Sequence, residues 1–197
     1  MIAHVTAAML AALAPVQQAD TTFAVDAGGR LEVDQLEGVV SVTTWDRAEM
    51  RVVAVFDEDD GRLDVRSSGG TAHVSVKGEW GEPVYGEIEI TMPRGMAMEI
   101  AGVSLEVGIE GSASDVTVST VEGSIALVGG SGNVALSAVE GEVTVSRASG
   151  KIAISAVDGG VSVSDSDGAI SLTAVDGDVL LEGITSDHVS VNAVDGD

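Results

Sequence analysis

Five carboxylates recur at a fixed interval toward the C-terminal end of the chain: Glu122, Glu140, Asp158, Asp176 and Asp195. Each stands between a valine and a glycine. The step from one to the next is eighteen positions three times, and one position longer at the last. Stacked in register, they would form one column of hard oxygen donors. Calcium takes six to eight such oxygens, so the column reads as a candidate cation ladder with calcium as its candidate ligand. The competing reading is a solvated acidic edge that keeps the protein soluble and discourages edge pairing. No single unit supplies six donors, which favours the solvated edge and leads us to expect neither a resident metal nor a cofactor. Glu142 and Asp178 add charge one turn residue away.

Other residues with chemical potential are sparse. Ser119, Ser137, Ser155, Thr173 and Asn192 share a second column, a polar ladder that could contact glycan hydroxyls or simply decorate a strand face. Asp57-Glu-Asp-Asp-Gly61 resembles a calcium loop, but its glycine falls one place early for that motif, and an acidic turn is the better reading. His73 and His188 are the only histidines beyond the first twenty residues, with no nucleophile assigned to either. The chain has no nucleophile elbow and no phosphate-binding loop or H-E-x-x-H signature. A glycan-cleaving enzyme would need an acid and a base flanking a sugar. Residues 101–197 offer only Arg147 and Lys151 as bases against fifteen carboxylates. No catalytic residues are therefore assigned.

The elements that carry these columns are strands. Val134-Ala-Leu136-Ser-Ala138, Val143-Thr-Val145, Ile152-Ala-Ile154-Ser-Ala156 and Val161-Ser-Val163 alternate apolar and small or polar residues, the period of a strand with one buried face. Turn residues follow each strand, and a second glycine column at Gly132, Gly150 and Gly168 divides the period into halves of nine. A repeat of about 20 residues, each a strand–turn–strand–turn unit, is the signature of a solenoid. The expected fold is all-β: a right-handed parallel β-solenoid, β-helix-like, with about 18 residues per coil. Two rivals fail. A hexapeptide helix needs an apolar marker at every sixth position, and counting on from Val121 reaches Leu127 and then Asn133. A calcium β-roll needs the glycine-rich nonapeptide, which is absent.

Residues 1–20 differ from the rest. Ile2 to Val16 is apolar and uncharged apart from His4, the core of a secretory signal peptide. It is too short for a membrane span. The basic region that usually precedes such a core is missing, and an uncleaved anchor or an ordinary N-terminal helix is the alternative. Residues 21–100 are β-rich but irregular. Expected strands are Thr22–Val25, Arg30–Asp34, Val39–Thr44, Met50–Phe56, Arg62–Val65, Thr71–Lys77, Glu87–Met92 and Met98–Ile100. All five aromatics lie there: Phe23, Trp45, Phe56, Trp80 and Tyr85. Solenoid ends need atypical caps, so residues 21–100 read as a cap with the first coils. Residues 101–197 are the regular repeats, and 21–197 form one continuous domain. There is no cysteine, and the net charge is −23, which argues against nucleic acid and anionic membranes.

The order Leu31-Glu-Val33, Glu37-Gly38-Val39-Val40-Ser41-Val42, Trp45-Asp46, then Ile88-Glu-Ile90-Thr-Met92-Pro93-Arg94-Gly95 leads into the tandem units. It resembles the bacterial "putative adhesin" family of β-strand-repeat proteins of unknown function. The resemblance spans roughly Asp20 to the C-terminus. It implies an exported protein, periplasmic, cell-surface or secreted, and brings no catalytic residues. The expected function is a non-enzymatic adhesin or envelope-scaffold module facing an unknown protein or glycan surface. It would bind no nucleic acid and insert in no membrane once the leader is removed. A glycan-active enzyme on the same fold is one alternative. Another is a regulatory or assembly module that binds a partner through its open C-terminal edge. The sequence stops mid-unit at Ala193-Val-Asp-Gly-Asp197, and an unpaired edge there invites self-association.

Overall fold

The computed structural model describes residues 17–56, 61–78 and 82–195. Eighteen strands and no helix occur among them. The irregular half supplies β1 (Gln17–Ala24), β2 (Arg30–Asp34), β3 (Glu37–Trp45), β4 (Glu49–Phe56), β5 (Arg62–Ser68), β6 (Thr71–Lys77), β7 (Gly86–Pro93) and β8 (Ala97–Ala101). Each expected strand of this half is present, most of them longer than the alternation suggests. The repeats supply β9 (Ser104–Glu110), β10 (Val116–Glu122), β11 (Ile125–Val128), β12 (Asn133–Glu140), β13 (Val143–Ser146) and β14 (Lys151–Asp158). They continue with β15 (Val161–Ser164), β16 (Asp167–Asp176), β17 (Val179–Glu182) and β18 (Thr185–Asp195). The apolar leader lies outside the described residues, as do Asp57 to Asp60 and Trp80. β1 begins at Gln17, inside the segment that the sequence assigns to the leader.

Hydrogen bonds join all the strands into one mostly parallel sheet, which resolves into two ladders. In the first, β8, β10, β12, β14, β16 and β18 stack in parallel. In the second, β9, β11, β13, β15 and β17 do the same. The same eighteen-position offset sets the pairing in both: Val116 pairs with Val134 and Ile152 with Ile170, while Val107 pairs with Ile125 and Val143 with Val161. One irregularity, between Asp167 and Ala169, accommodates the single longer step, so that Ile170 meets Val189. A bridge between Glu122 and Ser104 joins the ladders at a corner.

Side chains divide as the alternation requires. Ile152, Ile154 and Ala156 are buried while Ser155 between them faces water. Val143 and Val145 of the second ladder enter the same apolar cluster. Like residues meet like residues across the strand step of about 4.8 Å. At the corner, Gly141 has φ +131°, and a Cβ there would run into the carbonyl group of Gly123 in the preceding rung. The close approach of backbone to backbone at the corner is what requires glycine.

The irregular half extends both ladders in an order that the chain does not follow. β2 lies between β8 and β6, and β3 lies between β9 and β7, all in parallel. Leu31 thereby pairs with Met98 and Ala72, and Val40 with Val107 and Ile88. Antiparallel strands then close the end: β5 on β6, β4 on β7, and β1 on β4. Met50, Met92, Met96 and Met98 are buried here, flexible side chains suited to an uneven interior. Gln35 is buried yet fully bonded. It donates to the carbonyl oxygens of Glu37 and Val84 and accepts from the Val76 amide, each at 2.9 Å.

Candidate functional site

The corner at the end of the first-ladder strands brings the repeated tripeptide together. Glu122, Glu140, Asp158, Asp176 and Asp195 are successive register partners, so the carboxylate column exists as the spacing predicts. Its first member is tied to the rung before it, where the Ser104 hydroxyl donates to Glu122 Oε2 at 3.2 Å. Thr120, buried beneath, donates to the backbone oxygen of Glu122 at 2.7 Å and fixes the corner. The column is exposed and linear. Among the described residues, no three histidine, aspartate or glutamate side chains converge on a space that would hold a metal ion. Successive carboxylates stand one above another rather than around a point, which is the arrangement of a charged edge.

The polar ladder is also in register: Ser119, Ser137, Ser155, Thr173 and Asn192 pair in turn. Beside it on the outer face run Thr117, Ala135, Ala153, Ser171 and Ser190. Two columns of mostly small side chains therefore make a level floor. The acidic loop at Asp57 falls outside the described residues. His73 and His188 are not brought together. They sit in β6 and β18, seven strand steps apart on the first ladder, or roughly 34 Å at about 4.8 Å per step. His73 Nδ1 lies 3.0 Å from Glu32 Oε2, a cross-rung pair.

The spacing aligns the valine before each carboxylate as a column, but the residue pattern did not place that column on the outer face. Val121, Val139, Val157 and Val175 are level with one another between paired neighbours on either side, and Val194 continues them. In the other direction the column passes through Val103, whose carbonyl accepts from the Val121 amide, to Leu36, whose carbonyl accepts from the Val103 amide. All seven side chains are between 39% and 62% exposed. The signal was present in the sequence. Each strand continues two residues past its last inward alanine, and counting by two from Ser137 puts Val139 on the outer face. One end of this ridge borders a mostly apolar cleft of about 370 Å³, lined by Leu36, Val76, Pro83 and Val103 among others.

The charges of the irregular half are arranged differently. Arg30 meets Glu99 at 2.9 Å, Arg94 meets Asp46 at 2.7 Å, and Arg51 meets Asp20 at 2.6 Å. Two hydrogen bonds from the Arg51 guanidinium hold the Asp20 carboxyl below the usual carboxylate range. The same contacts raise Arg51.

No curated protein matches this sequence. Solved structures do. A "putative cell adhesion protein" from Clostridium sporogenes is 8% identical with a TM-score of 0.50, covering 92% of this chain and 100% of its own. Two proteins each described as a "putative adhesin" come from Parabacteroides distasonis and Parabacteroides merdae. Both are 9% identical, with TM-scores of 0.39 and 0.36; they cover 92% and 90% of this chain and 97% and 96% of their own. At such identity the likeness to the Clostridium sporogenes protein is one of fold alone. The sequence model of Toastrack DUF4097 matches residues 29–197, from just before β2 through every repeat, and the chain belongs to that family.

Proposed function

We propose that this protein is an exported, non-enzymatic binding module, adhesin-like, built as a right-handed β-solenoid with eighteen positions to each coil. The observation that carries the reading is the outer face of the first ladder. From β10 to β18 it presents the same three columns, two of mostly small side chains and one of valines, without a break in register other than the single added residue. Such a surface suits recognition by an extended contact. A catalytic site would need polar groups converging on one point, and none of the candidate residues is so placed. The shared offset of both ladders supports the coil size. The strong preference of parallel connections supports the right hand. Export is supported by the apolar leader in the sequence and by the cell-adhesion name of the Clostridium sporogenes fold neighbour. The carboxylate column is read as a solvated edge and not as a cation ladder.

The test has two arms. The full gene product, expressed in its native host and fractionated, is expected outside the cytoplasm with a mass lacking the apolar residues up to Val16 and retaining β1 from Gln17. A cytoplasmic protein retaining Met1 would overturn export. Purified protein on a glycan array and in a reducing-sugar release assay is expected to show no turnover, and glycan cleavage would overturn the non-enzymatic reading.

A further inference from the structure

We propose that the aliphatic ridge from Leu36 to Val194, with the carboxylate column beside it, is a docking strip for a basic amphipathic α-helix of a partner protein. The inference rests on the binding-module reading and names the partner chemistry of that face.

The ridge is the first ground. A soluble protein rarely leaves a contiguous apolar strip on its surface without a use for it. Here one aliphatic side chain per rung is exposed over seven rungs, flanked by a floor of serine, threonine and alanine that lets a second backbone approach. Val103, Val121, Val139, Val157 and Val175 give it the same residue at each step. The valines are not needed to fill the corner, which the next residues inward, Ala138, Ala156 and Ala174, already occupy.

Spacing selects the shape of the occupant. The ridge repeats about every 4.8 Å. A helix returns an apolar stripe about every 5.4 Å, a drift of about 0.6 Å per turn, so it keeps step for about four rungs before it is half a rung out. An extended strand presents same-face residues about every 6.6–6.8 Å and loses step within two or three rungs. The cleft bounded by Leu36 and Val103 would receive a terminal side chain of the helix.

Charge selects its composition. Glu122, Glu140, Asp158, Asp176 and Asp195 lie one residue from the valines, and only Arg147 and Lys151 are basic in the whole of residues 101–197. A second copy would bring one acidic column against another at a net charge of −23 each. A stripe of leucine flanked by lysine or arginine meets both columns at once. Such a contact is strengthened by steering and weakened by salt.

The experiment uses the full chain and a fluorescein-labelled 22-residue helical peptide with a leucine stripe flanked by lysines. A companion peptide keeps every lysine and replaces the leucines by serine. Fluorescence anisotropy is expected to show binding of the leucine peptide that weakens as NaCl rises from about 50 to about 500 mM. The serine peptide should bind at least tenfold more weakly. The variant Val121→Thr/Val139→Thr/Val157→Thr keeps β-branched, exposed side chains and should also lose at least tenfold. Equal binding of the two peptides, or no loss in the threonine variant, would overturn the proposal by reducing the strip to its charge. Absence of binding would overturn it as well. So would a dimer in sedimentation velocity that the threonine variant abolishes, because the ridge would then belong to a second copy. None of these results bears on localisation or turnover, which the preceding experiments decide separately.

Discussion

The two halves of this protein keep the same two ladders by opposite means. From β10 onward every rung touches only the rungs one period before and after it, and charges of one sign stand above one another along the corner. In the irregular half, rung partners are remote in the chain and the offset is not constant: Leu31–Ala72, Val40–Ile88 and Leu31–Met98 each have a different one. There, carboxylates are paired across rungs with arginine or histidine. The cost of loop closure grows only slowly with length, by about 1 kcal/mol from the repeat step to the longest of these spans. Thus remote pairing is cheap, while a repeated like charge is tolerable only where water screens it. The repeats are a modular stack, and the irregular half is the closure that ends the stack.

The sharpest way to break this contrast is to place a charge in the modular core. Ile154 is 3% exposed and lies between Leu136 and Leu172. Ile154→Asp is expected to cost about 4 kcal/mol or more, as an uncompensated buried charge does, whereas Ser155→Asp should change the melting temperature little. In a nearest-neighbour stack the damage stays near its source. Hydrogen exchange should therefore show β12, β14 and β16 losing protection while β2, β3 and β7 retain theirs. Uniform loss would mean that the halves unfold as one unit.

Backbone packing at the corner comes next. Gly141→Ala combines a disfavoured φ with overlap on the Gly123 carbonyl and is expected to cost about 3 kcal/mol. Gly108 in β9 has open space where its Cβ would be and an ordinary φ. Gly108→Ala should be neutral or raise stability by about 0.5 kcal/mol. Chemical denaturation of the pair measures both, and equal losses would remove the corner as the constraint.

The closure has its own weak point in Gln35. Gln35→Leu leaves the Glu37 and Val84 carbonyls and the Val76 amide without their partner, at an expected cost of about 2 kcal/mol. Protection should fall first in β6 and β7, the reverse of the Ile154 pattern. The smallest effect is at the Asp20–Arg51 pair. Because Asp20 titrates below its ordinary value of 3.8, its contribution is present above that value and is lost as pH falls through the lower folded value. Asp20→Asn should thus melt slightly below the wild type at neutral pH and converge with it below pH 3.8. A gap that persists in acid would show that the ion pair is not its source.

Much of this was legible because the repeat writes its own register. A single offset aligned Glu122 with Glu140, Ser137 with Ser155 and Val143 with Val161, and period two put Ile154 inside and Ser155 outside. The rung order of the irregular half was not legible. The residues that stack there, Leu31 on Met98 and Ala72, share no fixed offset, and a strand pair inserted between two later pairs leaves no periodic trace. Gln35 was missed for a related reason: it belongs to the column of Thr120 and Ala138, but only once the pairing of β2 with β8 is known. The valines align in the sequence, but their place as an outer ridge was missed because the alternation was stopped at Ala138, two residues before β12 ends.

The insertion of β2 and β3 between two later pairs also sets how the molecule would answer a pulling force. Drawn from its C-terminal end, the stack gives way like a zip. Each repeat step frees roughly 60 Å of chain, so a force–extension trace becomes a regular sawtooth. The teeth stop at the inserted pair. β2 and β3 are held on both sides, by β6 and β8 and by β7 and β9. Once β9 and β8 have peeled away, the next strand in the chain is β7, held by β3 on one side and β4 on the other, so a tether that yields in even increments at one end is anchored by a clasp at the other.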